Sequence, residues 1–357
     1  MLNVSLVLTS AMFLLTLLNA QLIRIPRNGR DLTASVAVLL PVRNEATNII
    51  ELVESLKEQT GISDLTFYFL DDNSEDETLK LLEREVADDE RFSILNGQVL
   101  PAGWLGKPWA LEQLRTQAKA DFIVNIDADV RLAPRAICAA INLLIDHELD
   151  FVSPYPKQIA KSFGERMIQP LLQWSWLSTV PLRIAEKSGR PSLAVANGQF
   201  FAVRENALNS ISGYCASKTA VVDDMEIART LLRNGFKGCV ADGSNIATCH
   251  MYNSWAEVKA GYGKSLWAAF GTRLGSVVAI SFLFLTGILP LLGMIAGFSA
   301  GLFAFEFVII SRIIAARVSG GRYLDSFLHP VSTLLLIYLI IYSWTARGKV
   351  QWKGRTL

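Results

Sequence analysis

The sequence predicts an α/β domain with a mainly parallel sheet, carried between apolar ends that read as membrane segments. Three observations lead there. Short apolar or β-rich runs at 36–40, 65–70, 92–95 and 122–126 alternate with helical patterns, the order that builds parallel sheets. Polar clusters follow three of those runs, at the strand ends where ligands bind in such sheets. Both ends of the chain carry apolar stretches about one bilayer long.

Composition agrees. The 357 residues are 51% hydrophobic, with the charged residues concentrated between Arg24 and Arg273. Domains of roughly 100 to 200 residues and spans of roughly 20 apolar residues then leave one large polar domain plus membrane segments. Net charge is +1, from 34 basic and 33 acidic residues, and no basic block interleaves with aromatics. Binding to nucleic acid needs a concentrated positive surface, so nucleic acid is not an expected partner. Cys138, Cys215, Cys239 and Cys249 form no C-x-x-C pair and have no His at zinc-finger spacing; scattered thiols of this kind read as reduced and cytosolic.

Residues 1–25 are expected to be an N-terminal transmembrane anchor. The stretch 2–23 is apolar without a positive leading region, and Leu18-Asn19-Ala20 is a poor cleavage site because Leu is not small. Arg24, Arg27 and Arg30 follow, which places the next domain, 33–250, on the cytoplasmic side of the cell (inner) membrane.

In that domain the first helix is expected at 45–59, with Ile49, Ile50, Leu52, Val53 and Leu56 apolar, and the second at 75–86, with Leu79, Leu81 and Leu82. Pro41-Val42-Arg43-Asn44-Glu45 follows the first strand, Asp71-Asp72-Asn73-Ser74 the second and Asp127-Ala128-Asp129 the fourth. Three strand ends thus converge on one polar crevice.

The stretch 251–273 has Trp255, Val258, Tyr262 and Leu266 at helical spacing, with Lys259 and Lys264 off that face. It reads as a helix in the membrane interface, with an ordinary core helix as the alternative. Apolar segments at 276–297, 298–318 and 327–345 follow, and Glu306 and Arg312 within them must face protein or the interface. Arg312, Arg317 and Arg322 mark a cytoplasmic loop. Three spans would leave the basic tail 347–357 outside, against its Arg347, Lys349, Lys353 and Arg355. Two to three segments within 276–346 and a cytoplasmic tail are therefore expected.

Asp127 and Asp129 carry the clearest chemistry. Two carboxylates one residue apart at a buried strand end repel unless a cation joins them, and a hard divalent ion there keeps places for phosphate oxygens. A solvent-exposed turn is the bland alternative. The acidic run from Asp71 to Thr78 is not a calcium loop, because Glu77 stands where Gly is required and Lys80 occupies a ligand position. Asp71 and Asp72 suit hydrogen bonding to a base or ribose, and Ser74 is expected to cap the next helix. In Gly103-Trp104-Leu105-Gly106-Lys107-Pro108-Trp109, a flexible loop puts Lys107 at a helix start, where it suits an incoming diphosphate. Asp223 and Asp224 open a helical pattern running through Ala228, Leu231 and Leu232. Acids there suit the helix dipole, or one of them is the base for an acceptor hydroxyl. His250 is a conceivable late metal ligand, though a satisfied histidine is the simpler reading.

Taken in this order, these pieces and Asn197-Gly198-Gln199-Phe200-Phe201 resemble the family 2 glycosyltransferases of the GT-A fold, over residues 36–267. The loop at Lys107, Asn197-Gly198-Gln199, Met251-Tyr252 and Trp352-Lys353-Gly354-Arg355 look closer to one membrane branch, the hopene-associated and carotenoid (diaponeurosporenoate-type) glycosyltransferases. The resemblance implies a Rossmann-like mixed sheet and inverting transfer of one sugar from a nucleotide-diphosphate sugar, expected to be a UDP-sugar, to a lipid or terpenoid. It implies Mg²⁺ or Mn²⁺ on Asp129 and Asp127, and Asp224 as the base. Substrate contacts are implied for Pro41, Arg43, Asn44, Glu45, Asp71, Asp72, Lys107, Asp127, Asn197, Gly198, Gln199 and Asp223.

Asp223 stands where the family usually has Glu. Trp267 follows Leu266 rather than the Arg of polymerising members, which points to single-sugar transfer. The segment 163–181, with Leu171, Leu172, Trp174, Trp176 and Leu177, could receive a lipid acceptor, or hold ordinary core or interfacial aromatics. A polyprenyl-phosphate glycosyltransferase would share the donor site. An aspartate-nucleophile phosphohydrolase is disfavoured by Arg131 and the late position of Asp127. A non-catalytic membrane binding protein is disfavoured by the presence of Asp127, Asp129 and Asp224 together.

Overall fold

Elements follow the chain as α1 (Leu2–Leu22), β1 (Leu32–Val42), α2 (Ala46–Lys57), β2 (Ile62–Asp71), α3 (Thr78–Val86), β3 (Phe92–Asn96), α4 (Gly106–Gln117), β4 (Phe122–Ile126), β5 (Val130–Leu132), α5 (Ala136–Asp146), β6 (Phe151–Tyr155) and the two-residue β7 (Lys157–Gln158). Then come α6 (Phe163–Thr179), α7 (Leu182–Ser188), β8 (Phe200–Arg204), α8 (Glu205–Ser210), α9 (Asp223–Arg233), β9 (Gly238–Asp242), β10 (Ala247–Cys249) and α10 (Trp255–Phe270). The last helices are α11 (Arg273–Leu283), α12 (Leu289–Ile295), α13 (Ser299–Val318) and α14 (His329–Ala346). This computed structural model describes residues 1–347 and the backbone of 351–352 and 355–356. Most of the basic tail, with Lys349, Lys353 and Arg355, lies outside the residues whose side chains are described. By packing, the chain forms two units: Ile23–Lys157 with Ile184–Cys249, and Met1–Leu22 with Gln158–Arg183 and His250–Leu357.

The first unit is built on a seven-stranded sheet in the order β3-β2-β1-β4-β8-β6-β9. Residues 36–40 of β1 are buried on both faces, as expected of a central strand covered by helices. β1 pairs in parallel with β2 and β4, β2 with β3, and β6 with β9. β8 runs antiparallel to both its neighbours, which makes the sheet mixed. Leu39, Leu70, Leu111, Ile123, Phe201 and Leu231 belong to one buried cluster, and Phe151 stacks on Phe201 with ring centroids 5.5 Å apart. Because β8 is antiparallel, its start lies beside the end of β4, and the Asp127 N–H donates to Gln199 O at 3.2 Å.

The helix starts differ in one instructive place. α3 begins at Thr78 rather than 75, and Glu77 precedes it without a side-chain cap. Ser74 therefore does not cap α3. Its Oγ accepts the Asn44 N–H at 3.0 Å instead, tying the loop after β2 to the loop after β1, while Asp76 Oδ1 accepts the Thr78 N–H at 3.0 Å.

The second unit buries small polar side chains beside apolar ones and exposes apolar side chains. In α1, Ser5, Thr9, Thr16 and Asn19 are buried while Val7, Leu14 and Leu18 are exposed. In α13 and α14, Ser311, Ser332, Thr333 and Ser343 are buried while Ile310, Leu334 and Ile341 are exposed. This inverts the pattern of a helix in water and suits a lipid surround. Four helical segments are long and apolar enough to cross a membrane: Leu2–Leu22, Arg273–Ile295, Ser299–Val318 and Tyr323–Ala346. Three of these candidates, judged by length and composition, lie within the C-terminal part, where two to three segments were expected. Arg273–Ile295 contains a π-helical turn at Phe284–Ile288 with Pro290 just after it, the irregularity a missing N–H produces.

The sequence reading drew 33–250 as one stretch, whereas Gln158–Arg183, with α6, groups with the terminal helices. α6 opens on a capping box between Ser162 and Glu165. Its far end is held by Asn19, whose Nδ2 donates to Leu177 O at 2.8 Å and Val180 O at 2.7 Å, partners that helix ends otherwise lack.

Leu39→Ala, at a side chain 0% exposed, is expected to cost about 2–5 kcal/mol, read as a lower unfolding midpoint of the detergent-purified protein. Leu14→Ala, at a side chain 58% exposed, is expected to leave that midpoint nearly unchanged.

Candidate active site

The site lies at the ends of β1, β2 and β4, with the loop before β8 and the first turns of α4 and α9. At the end of β4 the chain turns sharply, the Val130 N–H donating to Asp127 O at 3.1 Å, and β5 then pairs with β10. This turn carries Asp127 and Asp129.

Lys107, in the first turn of α4, places Nζ 2.5 Å from Asp127 Oδ1. The two side chains remain 20% and 28% exposed, so the pair is hemmed in but not sealed. Burial works against the Lys107 charge, yet Asp127, Asp223 and Asp224 outweigh it and hold the ammonium above its ordinary range. Burial pushes Asp127 up, with Lys107 pulling against it. Burial, then Asp127 and Glu45, push Asp129 up to about 7, against a hydrogen bond from the Cys249 thiol. Asp129 Oδ1 is buried with no hydrogen-bond partner among the described residues.

Asp224 rises to about 6, through burial and then Asp223, against Lys107 and two backbone N–H groups. Those donors are Met225 N to Oδ1 at 2.7 Å and Gly198 N to Oδ2 at 2.5 Å. Gly198 is wedged between the partners: an added Cβ would lie 3.1 Å from Lys107 Nζ and 3.4 Å from Asp224 Oδ2. Its neighbours are clamped. The Asn197 N–H donates to Ser153 Oγ at 2.8 Å, Asn197 Nδ2 to Gln199 Oε1 at 3.1 Å, and the Gln199 N–H to Asn197 Oδ1 at 2.9 Å.

The residues after β1 and β2 brace one another. Arg43 Nη1 donates to the carbonyls of Asp72 and Asn73. Asn44 and Asn73 adopt left-handed φ of 51° and 55°, which Asn tolerates. Asn44 Oδ1 accepts the Glu75 N–H at 2.8 Å, and the Glu45 N–H donates to Thr78 Oγ1 at 2.8 Å. Pro41 sits within β1 opposite Leu70. Asp71 and Asp72 are buried. Asp71 Oδ2 accepts the Ser74 N–H at 3.2 Å, while Oδ1 has no partner among the described residues.

Glu45, Lys107, Asp127, Asp129, Asn197, Gly198, Gln199, Asp223 and Asp224 are thus brought together. His250 groups with the other unit, its Nε2 3.9 Å from Glu165 Oε2. Sequence reasoning missed Cys249, whose only signal was its type, and two buried hydrogen bonds made by Tyr214. The Tyr214 hydroxyl donates to Asn125 Oδ1 at 2.6 Å and its N–H to Glu112 Oε2 at 2.9 Å. A lone Asn inside the apolar run 122–126 was the available clue.

Among the described residues no group of three His, Cys, Asp or Glu side chains is set to hold a metal. The unpartnered oxygen of Asp129 and its displaced titration beside Asp127 nevertheless fit a hard cation that takes one or two carboxylates and completes its shell with phosphate oxygens.

Residues 37–212 match the family model described as glycosyl transferase family 2. Over 105 residues the chain is 36% identical to an N-acetylglucosaminyltransferase of Rhizobium leguminosarum bv. viciae, covering 29% of this chain and 24% of that protein. The match thus spans about a quarter of that relative's length. Among solved structures, the mannosyltransferase PcManGT from Pyrobaculum calidifontis, in complex with GDP-Man and Mn2+, shares the fold over 99% of this chain and 100% of that one. The TM-score is 0.57 and the sequence identity 18%.

Asp129 titrates in the folded chain at about 7, above its unfolded value of 3.8, so its ionised form opposes folding, most fully above pH 7. In EDTA at pH 8, Asp129→Asn is expected to raise the unfolding midpoint, by on the order of a few kcal/mol of stability, and the gain should shrink towards pH 5. A lower midpoint at pH 8 would contradict the assignment.

Proposed function

Since residues 37–212 form a family 2 glycosyltransferase domain, we propose that the protein moves one sugar from a nucleotide-diphosphate sugar to a hydroxyl of a lipid or terpenoid acceptor, with inversion, at a membrane surface. The observation that carries this reading is the single ammonium of Lys107 set among Asp127, Asp223 and Asp224. It joins a strand-end carboxylate pair suited to a cation that would carry the leaving diphosphate to a carboxylate suited to take a proton.

Asp129 and Asp127 would hold Mg²⁺ or Mn²⁺, which when bound neutralises charge on the departing diphosphate. Lys107 adds a fixed positive charge beside that position. Asp224, oriented by the N–H groups of Gly198 and Met225, accepts the proton of the attacking hydroxyl. With one base and no second nucleophile invoked, a single displacement inverts the anomeric carbon. Asp71 and Asp72 are assigned to the base or ribose, and the unpartnered Asp71 Oδ1 supports this. Pro41, Arg43, Asn44 and Glu45 shape the same end of the site. Donors carrying a nucleotide are consistent with the GDP-Man complex of the Pyrobaculum enzyme.

The lipid or terpenoid acceptor, of hopanoid or carotenoid type, rests on the resemblance of the motifs and is supported by the membrane-like helices. α6 adds exposed Phe163 and Leu172 to that unit. α10 is read as interfacial, and Arg24, Arg27 and Arg30 support a catalytic unit on the cytoplasmic side of the cell membrane.

The test is turnover of a nucleotide-sugar panel by the detergent-purified protein, with Mn²⁺ or EDTA, against hydroxylated terpenoids and polyprenyl phosphate. Asp129→Ala and Asp224→Ala are each expected to cost on the order of 10²–10³-fold in kcat; full activity in either would sink the assignment, and transfer only to polyprenyl phosphate would replace the acceptor. Asp224 must be ionised to act, so with Mn²⁺ saturating at every pH, kcat/KM is expected to be flat above pH 7 and to fall about tenfold per unit below the Asp224 value near 6. A profile flat down to pH 4.5 would remove Asp224 as the base.

A further inference from the structure

The membrane-like unit holds a buried positive charge that sugar transfer does not use. Arg312 lies within α13, one of the segments apolar enough to cross a membrane, and is only 3% exposed. Its Nη1 is buried with no hydrogen-bond partner among the described residues. Its guanidinium stands over the Trp174 ring, with Cζ 5.7 Å from the centroid. The indole N–H is already engaged, donating to Ser311 Oγ at 2.8 Å. His329 meets the same ring edge-on, with centroids 4.9 Å apart, and its Nδ1 is likewise buried without a partner.

The carboxylate whose field reaches Arg312 is Asp325, and it is already shared. Arg166 binds it through Nε at 3.0 Å and through Nη2, and Arg322 Nε lies 3.6 Å away. Glu306 is exposed, six residues back in α13 and about 120° around the helix from the buried Arg312. Two arginines therefore contact Asp325 while a third, Arg312, lies only within its field. A buried guanidinium without a counter-ion is strongly unfavourable, and ionisable groups inside membrane helices usually mark a binding site.

We propose that Arg312, with Arg166 and Arg322, forms a site for the phosphate of a membrane lipid. A phosphate offers several oxygens to a planar guanidinium fork, and Arg312 Nη1 is a donor left for it among the described residues. The lipid source follows from the apolar outer faces of these helices, with Ile310, Phe327 and Leu334 exposed. The proposal stands apart from the transfer reaction, and its readout is binding.

The experiment uses the full chain, delipidated in detergent, with dioleoyl phosphatidylglycerol, dioleoylglycerol or inorganic phosphate added. Retention of phosphatidylglycerol in native mass spectra and a rise in unfolding midpoint, absent with dioleoylglycerol, are expected. Equal stabilisation by inorganic phosphate would assign the site to a soluble anion and overturn the lipid. Arg312→Met is expected to abolish the phosphatidylglycerol shift while leaving the lipid-free midpoint unchanged or higher. Arg322→Gln, at a side chain 64% exposed, is expected to fold and to weaken phosphatidylglycerol binding at least threefold. Undiminished binding in Arg322→Gln, or a lower lipid-free midpoint in a folded Arg312→Met, would overturn the site.

Discussion

One ammonium surrounded by carboxylates is the constraint on which the active site depends. Lys107 contacts Asp127 directly and lies in the field of Asp223 and Asp224, while Asp129 feels Asp127 and Glu45. Left to itself such a cluster would fly apart. Two of the acidic residues are instead fixed through backbone: the main-chain N–H of Asp127 donates to Gln199 O, and the Asp224 carboxylate accepts the N–H groups of Gly198 and Met225. The uncompensated negative charge is then held ready for a cation and a diphosphate rather than relaxed by movement.

Much of this was legible beforehand, for physical reasons. Runs such as 36–40 and 122–126 are apolar without alternation because helices cover both faces, so they announce central strands. Polar residues at their ends could not be core. Contacts between distant residues were not legible. The Lys107–Asp127 pair spans 20 positions, and nothing local specifies it. Ser74 looked like a cap because Ser caps helices, but the Asn44 N–H from another loop claimed it. The wholly buried β6 has Ser153 and Pro154 inside it, which break the apolar run that would announce a strand, and β8 showed only as a motif.

Direction is likewise absent from hydropathy. α1 scores as a uniform apolar segment, yet Ser5, Thr9, Thr16 and Asn19 all turn inward. The same holds for Arg312, which the sequence could only require to face protein or the interface. In the structure it lies on Trp174.

The position of α6 has a further consequence. β8 separates β4 from β6 in the sheet, and the chain reaches it only after leaving this unit at Lys157 and returning at Ile184. On the ribosome, the β1–β4 half and β6 emerge with their facing edges still open. The strand that joins them arrives after a helix whose partners include α1, already made, and α13 and α14, not yet made. Open edges are prone to wrong pairing. Completion of the sheet thereby waits on a helix that belongs to the other unit: of the helices α6 packs on, α1 is already made while the strand that closes the gap is still being synthesised.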